Sequence, residues 1–182
     1  AGRVLVAAGE QQIVDVIRAA GGEAVLTDPD LASGSDRIAR AVKLLDPRQE
    51  HDFVINLQGD LPTIPPQDIR TVLLPMADPA VDIATLVTQI TRPEEINDPN
   101  VVKAVISFPV KQSGPVRIGK ALYFSRAAIP SGEGPYYHHI GIYAYRRSAL
   151  ERFVTLPPSE LEKRERLEQL RALEDGMKIA AA

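Results

Sequence analysis

Residues 53–60 read FVINLQGD, a nearly continuous apolar run that stops at a polar turn. The run from Phe53 to Leu57 is typical of a strand in a parallel sheet that is covered on both faces. Asp60 therefore lies just past the carboxyl end of a predicted strand. Ligands of open α/β sheets bind at that edge, so this stretch indicates an α/β fold and a candidate site together.

The residues before this stretch alternate between strand and helix patterns. A strand-like run over 4–7 is followed by an amphipathic helix near 11–20 and by a second strand over 24–26. That order is typical of a βαβ unit. A further helix carries the apolar stripe of residues 38–45 and is expected to end at Pro47.

The residues after this stretch predict a longer series of elements. Helices are expected near 67–76 and 148–154, and strands near 83–87, 101–106, 121–124 and 140–145. Ser159 and Glu162 form a capping-box pattern. We therefore expect a last helix from Ser159 to about Leu173, with Gly176 as its stop.

The composition excludes several classes of protein. The 182 residues permit one domain with a small subdomain, and 45% apolar with 25% charged residues is enough for a buried core. The absence of cysteine excludes disulfides and thiolate nucleophiles, and the net charge of −3 argues against nucleic-acid binding. Neither a membrane span nor a secretory signal is visible, so we expect a soluble, cytoplasmic protein with no membrane partner.

Two local patterns suggest sites that we reject on physical grounds. The spacing from Gly114 to Gly119-Lys120 resembles a P-loop, but Ala121 stands where a metal-binding hydroxyl is needed and a strand pattern follows instead of a helix. His138 and His139 are adjacent in a predicted strand, so their side chains point to opposite faces and do not share one ion. We expect one of these histidines to face solvent and the other to lie in the core.

Two carboxylates stay open on the residues alone. Asp60 suits an exposed Gly-Asp turn as well as a ligand of a hard divalent cation. Glu168 and Gln169 lie within the last predicted helix. A solvated face, with Glu168 paired to Arg164 or Arg171, is the favoured interpretation there.

Six short motifs in a fixed order resemble those of the 3-deoxy-manno-octulosonate cytidylyltransferases, also called CMP-Kdo synthetases. They are Ser33-Gly34-Ser35-Asp36-Arg37, Asn56-Leu57-Gln58-Gly59-Asp60-Leu61-Pro62, Pro99-Asn100-Val101-Val102-Lys103, Ala121-Leu122-Tyr123-Phe124-Ser125-Arg126, His139-Ile140-Gly141-Ile142-Tyr143-Ala144-Tyr145 and Leu167-Glu168-Gln169-Leu170-Arg171. The resemblance runs from Arg3 to Ile179.

The resemblance implies a fold and a reaction. The fold is a Rossmann-like nucleotidyltransferase fold, a mostly parallel sheet flanked by helices, with a small dimerisation subdomain. We expect a nucleotide-binding part over 1–107, the subdomain over 108–147, and C-terminal helices over 148–182 that return to the main domain. The expected reaction joins CTP to 3-deoxy-D-manno-octulosonate (Kdo) with Mg2+, giving CMP-Kdo and pyrophosphate for lipopolysaccharide biosynthesis.

The resemblance also implies site residues, by matching motif. The nucleotide-binding residues are Ser33, Gly34 and Arg37, and Asp60 is the catalytic and metal-binding residue. The sugar-binding residues are Gln58, Arg126, His139, Tyr143, Glu168 and Gln169. Arginine and histidine suit the carboxylate of Kdo, and the other side chains suit its hydroxyl groups.

The sequence departs from the family pattern at several points, and these keep two alternatives open. Ala8-Gly9 replaces a Thr-Asp pair, Leu61 replaces an acidic residue, and these 182 residues lack the family's basic N-terminal and acidic C-terminal segments. The alternatives are a cytidylyltransferase for another acid sugar, such as a sialic acid, and a non-catalytic nucleotide-binding or scaffold homologue. Six of the nine aromatic residues lie in 121–145, which suits either a subdomain core or an interface. With the family resemblance, we favour a two-fold homodimer through this region.

Overall fold

The computed structural model describes residues 2–110 and 114–182, and the chain divides into two compact units, Ala1–Asp52 and Phe53–Ala182. The first unit is a βαβ unit followed by a helix. Strands β1 (Val6–Ala8) and β2 (Ala24–Leu26) pair in parallel, and helix α1 (Gln11–Ala19) connects them. Helix α2 (Gly34–Leu45) follows. The strand and helix alternation predicted for this part of the chain is confirmed.

The second unit is built on a six-stranded sheet flanked by helices. Its strands are β3 (Phe53–Leu57), β4 (Ile83–Gln89), β5 (Lys103–Ser107), β6 (Gly119–Ser125), β7 (Tyr137–Arg146) and β8 (Ile179–Ala181). Its α-helices are α3 (Pro66–Thr71), α4 (Arg147–Phe153), α5 (Glu160–Glu165) and α6 (Gln169–Glu174), with 3-10 turns at Leu74–Ala77 and Pro93–Ile96. The α/β class is confirmed.

The strand pairing in this sheet is mixed. The order is β3-β7-β4-β8-β6-β5, in which only β4 and β8 pair in parallel. The expectation of a mostly parallel sheet is wrong for this unit, because an apolar run reports burial and not the direction of its partner. Strands β3, β4, β5 and β8 nevertheless run in the same direction, since each is antiparallel to β6 or β7 or parallel to β4.

Strand β3 has the predicted bounds but not the predicted surroundings. It is an edge strand of the six-stranded sheet and pairs with β7 alone in that sheet. Phe53 and Leu57 are 40% and 43% exposed, while Asn56 is buried. The expectation of a strand covered on both faces is therefore wrong at its two ends.

Strand β7 separates the two faces of the unit. Ile142 and Ala144 belong to one core, to which Val72, just after α3, and Met76, in the first 3-10 turn, also belong. The alternate residues of β7 face the opposite layer, where aromatic rings contact one another in the order Phe124, His139, Tyr143, Tyr145 and Phe153. This alternation is the period of two that a strand imposes.

The last predicted helix is two short helices. The capping box is confirmed, since Ser159 accepts from the Glu162 amide and the Glu162 carboxylate accepts from the Ser159 amide. Helix α5 then ends at Arg166, whose φ of 57° is left-handed. The prediction of a single helix to Leu173 is wrong. The chain changes direction at Arg166, and Leu167 and Leu170 are both buried in the core.

Three further points concern a strand that the sequence did not predict, the division into domains and membrane-spanning helices. Strand β8 was not predicted, because Ile179–Ala181 is too short and too poor in β-branched residues to give a pattern. The three-part division at residues 107 and 147 stays a prediction, although β6 and β7 are hydrogen-bonded into the six-stranded sheet. Within 2–110 and 114–182, no helix has the length and apolar character needed to cross a bilayer.

Candidate functional site

The turn after β3 presents Asp60 to solvent. The turn is closed by the Leu61 amide, which donates to the Gln58 carbonyl at 3.2 Å, and Gln58, Gly59 and Asp60 are all exposed. The Asp60 carboxylate makes no hydrogen bond or ion pair with another residue of the described chain. An exposed carboxylate without a protein partner has its oxygens available to a ligand.

The predicted nucleotide loop lies in the first unit and is braced internally. The Ser33 hydroxyl caps α2 and donates to the Asp36 carboxylate at 2.7 Å. The Arg37 guanidinium donates to the Thr27 hydroxyl at 2.6 Å and to the Asp28 carbonyl at 3.0 Å. Arg37 therefore holds the loop after β2 in place.

Two glycines of the first unit have different reasons to be there. A Cβ on Gly9 would lie 2.9 Å from Nη1 of Arg37, so this glycine makes room for the guanidinium. A Cβ on Gly34 would meet nothing within 4 Å among the described residues. The surface at the start of α2 is therefore open to a ligand.

His139 and Tyr143 lie on one face of β7, within its row of contacting aromatic rings. Their ring centroids are 5.4 Å apart, and both side chains are buried. Burial, with the neighbouring Tyr145 and the Glu168 carboxylate, raises the pKa of Tyr143 well above its ordinary value. The Tyr143 hydroxyl thus keeps its proton near neutral pH and can donate it in a hydrogen bond.

His139 is neutral in this layer. Nε2 of the ring lies 3.0 Å from the Thr85 hydroxyl, which also bonds the Ile142 carbonyl at 2.8 Å. Burial, with the neighbouring His138, lowers the pKa of His139 to about 3. The ring therefore carries no charge near neutral pH and offers a hydrogen bond to a ligand. Its inward orientation is as predicted, whereas His138 is half-buried rather than facing open solvent.

This burial predicts a pH-dependent stability that depends on His139. The unfolded chain binds a proton below pH 6.5 while the folded chain does not until about pH 3, so the free energy of unfolding falls as the pH falls through that window. The contribution approaches about 1.4 kcal/mol per pH unit. Urea unfolding at pH 6.5 and 4.5 should show a smaller pH difference in His139→Gln than in the unsubstituted chain. Equal pH differences in the two proteins would contradict the neutral, buried state of this ring.

Glu168 and Gln169 stand at the start of α6, not in the middle of a helix. Glu168 is the residue before α6, and its Oε1 lies 3.9 Å from the Arg171 guanidinium. Gln169 is 6% exposed, and its Nε2 has no hydrogen-bond partner among the described residues. A buried amide donor without a partner is costly, and a ligand oxygen would satisfy it.

Arg126 follows β6 and lies against the turn between α5 and α6. Its guanidinium donates to the carbonyls of Pro99, Glu165 and Arg166 at 2.9, 3.0 and 3.5 Å. The segment that contains Pro99 continues to Val102, whose carbonyl accepts from the His139 amide at 2.8 Å. Arg126 and His139 are thus fixed to the same segment.

The structure brings some of the predicted residues together and leaves others apart. His139 and Tyr143 are ring neighbours on β7, and the Glu168 carboxylate is close enough to Tyr143 to affect its pKa. Gln169 follows Glu168 at the start of α6, and Arg126 and His139 both bond to the segment 99–102. Gln58 and Asp60 lie just after the end of β3, the neighbour of β7. Ser33, Gly34 and Arg37 belong to the other unit.

Sequence reasoning missed two residues of this region. Lys103 is fully buried at the start of β5, and Glu165 ends α5 with four contacts to β6 and the residue after it. Lys103 stood in a quoted motif without a role, and Glu165 lies three residues before Glu168. No spacing pattern distinguishes such residues from solvated charges. The rejection of a P-loop is confirmed for the end of that pattern, because Gly119 and Lys120 begin strand β6 and no helix follows them.

Comparison with known proteins places this architecture. The cytidylyltransferase family matches residues 1–179. The 3-deoxy-manno-octulosonate cytidylyltransferases of Paramagnetospirillum magneticum and Parvibaculum lavamentivorans are 58% and 60% identical to the chain. Both matches cover the whole chain, which spans 72% and 68% of the two relatives' lengths.

A solved structure gives the same answer. It is the CMP:2-keto-3-deoxy-manno-octonic acid synthetase complexed with CTP, at 38% sequence identity and a TM-score of 0.86. The similarity covers all of this chain and 71% of that one. With the matching mixed sheet and the family match over nearly every residue, the chain belongs to the cytidylyltransferase family.

Proposed function

We propose that the protein transfers the cytidylyl group of CTP to 3-deoxy-D-manno-octulosonate and releases pyrophosphate. The observation that carries this proposal is the match over this whole chain, at 58% and 60% identity, to relatives that bear that activity in their names. The CTP complex of the structural neighbour supports the nucleotide. The product, CMP-Kdo, is the activated sugar for lipopolysaccharide biosynthesis.

The reaction needs positioning more than covalent chemistry. The oxygen of the sugar's anomeric hydroxyl forms a bond to the α-phosphorus, and the bond from that phosphorus to the bridging oxygen breaks. Pyrophosphate leaves with the electron pair, and the hydroxyl proton passes to solvent. Holding the two substrates in line and neutralising the phosphate charge supply most of the acceleration.

The residues of the turn after β3 fit a Mg2+ ion. Proteins hold Mg2+ by one or two carboxylates together with substrate phosphates, and Asp60 offers one exposed carboxylate. The described residues contain no group of three or more candidate ligands, so we expect the ion to bind together with the triphosphate. A bound Mg2+ would neutralise charge on the phosphates, and the Asp60 carboxylate would help to hold it.

The side chains predicted to bind the sugar offer groups that suit an acid sugar. The Tyr143 hydroxyl and the Gln169 amide can donate to sugar oxygens, and the Glu168 carboxylate can accept from sugar hydroxyls. Arg126 carries a positive charge for the sugar carboxylate. Gln58 and His139 complete the set as neutral hydrogen-bonding groups.

The assay that tests this function is release of pyrophosphate from CTP. We expect release with Kdo and Mg2+, and little with other nucleotides. Release with a sialic acid instead of Kdo would favour the alternative sugar. The absence of release with every acid sugar, while CTP still binds, would favour a non-catalytic homologue.

We also propose a homodimer through residues 121–145. Phe124, Tyr143 and Tyr145 are buried in the unit itself, but Tyr136 and Tyr137 are half-exposed. These two line an open cleft of about 340 Å3 with Phe108 and Arg117, whose guanidinium lies 4.1 Å from the Phe108 ring centroid. Aromatic and arginine side chains are enriched in interface cores.

The dimer predicts a mass in solution of twice that of the chain. Light scattering behind a sizing column, at micromolar protein, measures it directly. Tyr136→Glu would place a charge in the cleft and should shift the protein to the mass of one chain. A single-chain mass for the unsubstituted protein would contradict the dimer.

A further inference from the structure

The charge of Arg126 is held in place without being neutralised. Its guanidinium bonds three main-chain carbonyls, those of Pro99, Glu165 and Arg166. Carbonyl oxygens fix a guanidinium but carry no formal charge. Among residues 2–110 and 114–182, no carboxylate forms an ion pair with this guanidinium. Arg126 is therefore oriented by the fold and keeps its positive charge for an anion.

The Glu165 carboxylate fixes the chain on which Arg126 stands. Oε2 accepts from the Arg126 main-chain amide at 3.1 Å. Oε1 accepts from the Ser125 hydroxyl at 2.8 Å and lies 3.4 Å from the Tyr123 hydroxyl. The Glu165 carboxylate at the end of α5 thus holds the end of β6. The main-chain carbonyl of Glu165 accepts from Nε of Arg126.

Lys103 fixes the turn at residues 98–101, which holds the Arg126 guanidinium on the side away from Glu165. Its ammonium group is buried and donates to the carbonyls of Asp98 and Val101 at 2.7 and 2.5 Å. These two residues flank Pro99, whose carbonyl accepts from Arg126. Burial lowers the pKa of Lys103, although the nearby Asp98 opposes that change. The turn that receives Nη1 of Arg126 is therefore set by a lysine that no substrate can reach.

We infer that Glu165 is a positioning residue, which sets the Arg126 guanidinium for the carboxylate of an acid sugar, with Lys103 fixing the turn on the other side. The inference rests on the proposed function and deepens it, because it names how the anion-binding group is held. Glu165 acts only through Arg126 and does not touch the sugar. Its loss therefore weakens sugar use and leaves nucleotide use intact.

The test is a double-mutant cycle in the intact protein. Glu165→Gln replaces an acceptor of three donors by an amide, and we expect KM for Kdo to rise roughly tenfold while kcat and KM for CTP change by less than about twofold. On the Arg126→Ala background the same substitution should change KM for Kdo by less than about twofold. Glu160→Gln, an exposed carboxylate on the same helix, is the matched control and should leave both KM values unchanged.

Several results would overturn the inference. Equal rises in KM on both backgrounds would mean that Glu165 does not act through Arg126, and equal loss of CTP use would mean a general structural role. Ser125→Ala, which removes one donor to the carboxylate, should shift KM for Kdo in the same direction by about threefold. This milder variant decides the point if Glu165→Gln does not fold.

A measurement without turnover separates the inference from the proposed function. The Nε proton of Arg126, which is bonded to the Glu165 carbonyl, should exchange with water at least about tenfold more slowly than that of the exposed Arg48, and Glu165→Gln should remove the protection. NMR of the arginine side chains reports both, with Arg126→Lys as the assignment control. Unchanged protection overturns the inference, whereas failure of the proposed function appears as no Kdo-dependent pyrophosphate release by the unsubstituted protein.

Discussion

Asp60→Asn is expected to lower kcat by at least about a hundredfold while the protein unfolds at an unchanged temperature. The substitution keeps the size of the side chain and removes the negative charge that a divalent cation needs. Metal stabilisation of phosphoryl charge contributes several kcal/mol, which makes this the largest effect we expect. Stability is unaffected because the Asp60 side chain is exposed and bonded to no other described residue.

The matched control for Asp60 is Asp52, an exposed aspartate at the other end of the same strand. Asp52→Asn alters the same charge by the same amount and should leave turnover unchanged. Initial rates over a range of Mg2+ concentrations, with melting curves of all three proteins, make the comparison. Full activity of Asp60→Asn at saturating Mg2+ would remove this residue from the mechanism.

Glu168→Ala should lower kcat/KM for Kdo by roughly ten- to a hundredfold. The loss of a hydrogen bond to a charged partner corresponds to about 1.5–3 kcal/mol. Truncation would also leave the sugar hydroxyls unpaired beside the buried Gln169. Binding of CTP, measured by calorimetry without sugar, should barely change.

The competing interpretation of Glu168 is a surface carboxylate paired with an arginine. Glu151 is such a residue, since its side chain is 57% exposed and its carboxylate accepts from Arg147 at 3.1 Å. Glu151→Ala should change stability by about 0.5 kcal/mol or less and leave kinetics unaltered. If Glu168→Ala behaves like Glu151→Ala, or loses CTP affinity equally, Glu168 does not belong to the sugar pocket.

Local patterns in the sequence predicted the parts of this fold that local physics decides. The bounds of β3, the turn to Asp60 and the capping box at Ser159 depend on neighbouring residues alone, and all three agree with the structure. The direction of the strand beside β3 depends on a segment some ninety residues away, and no local pattern carries it. The short strand β8 could not be predicted for the same reason, because it forms by pairing with β4 and β6.

The candidate site shows the same division. Motif resemblance named the residues around β7 and α6, but it predicted neither their protonation nor their support. The neutral state of His139 follows from its burial against Thr85, which is a tertiary fact. The roles of Glu165 and Lys103 depend on carbonyl groups of distant turns, and every residue type has a carbonyl.

The left-handed residue between α5 and α6 has a consequence for how substitutions spread. Each of these helices has six residues, fewer than a helix needs to persist alone in water. Their order is carried instead by side chains, chiefly by the Arg171 guanidinium, which grips the Glu162 carboxylate with bonds of 2.8 and 2.6 Å. The Arg171 guanidinium also lies 3.9 Å from the Glu168 carboxylate, so a change at this pair would loosen Glu165 and Glu168 together. The connection between α5 and α6 therefore couples Glu165 to Glu168, so that one substitution at Glu162 or Arg171 would alter the positions of both carboxylates.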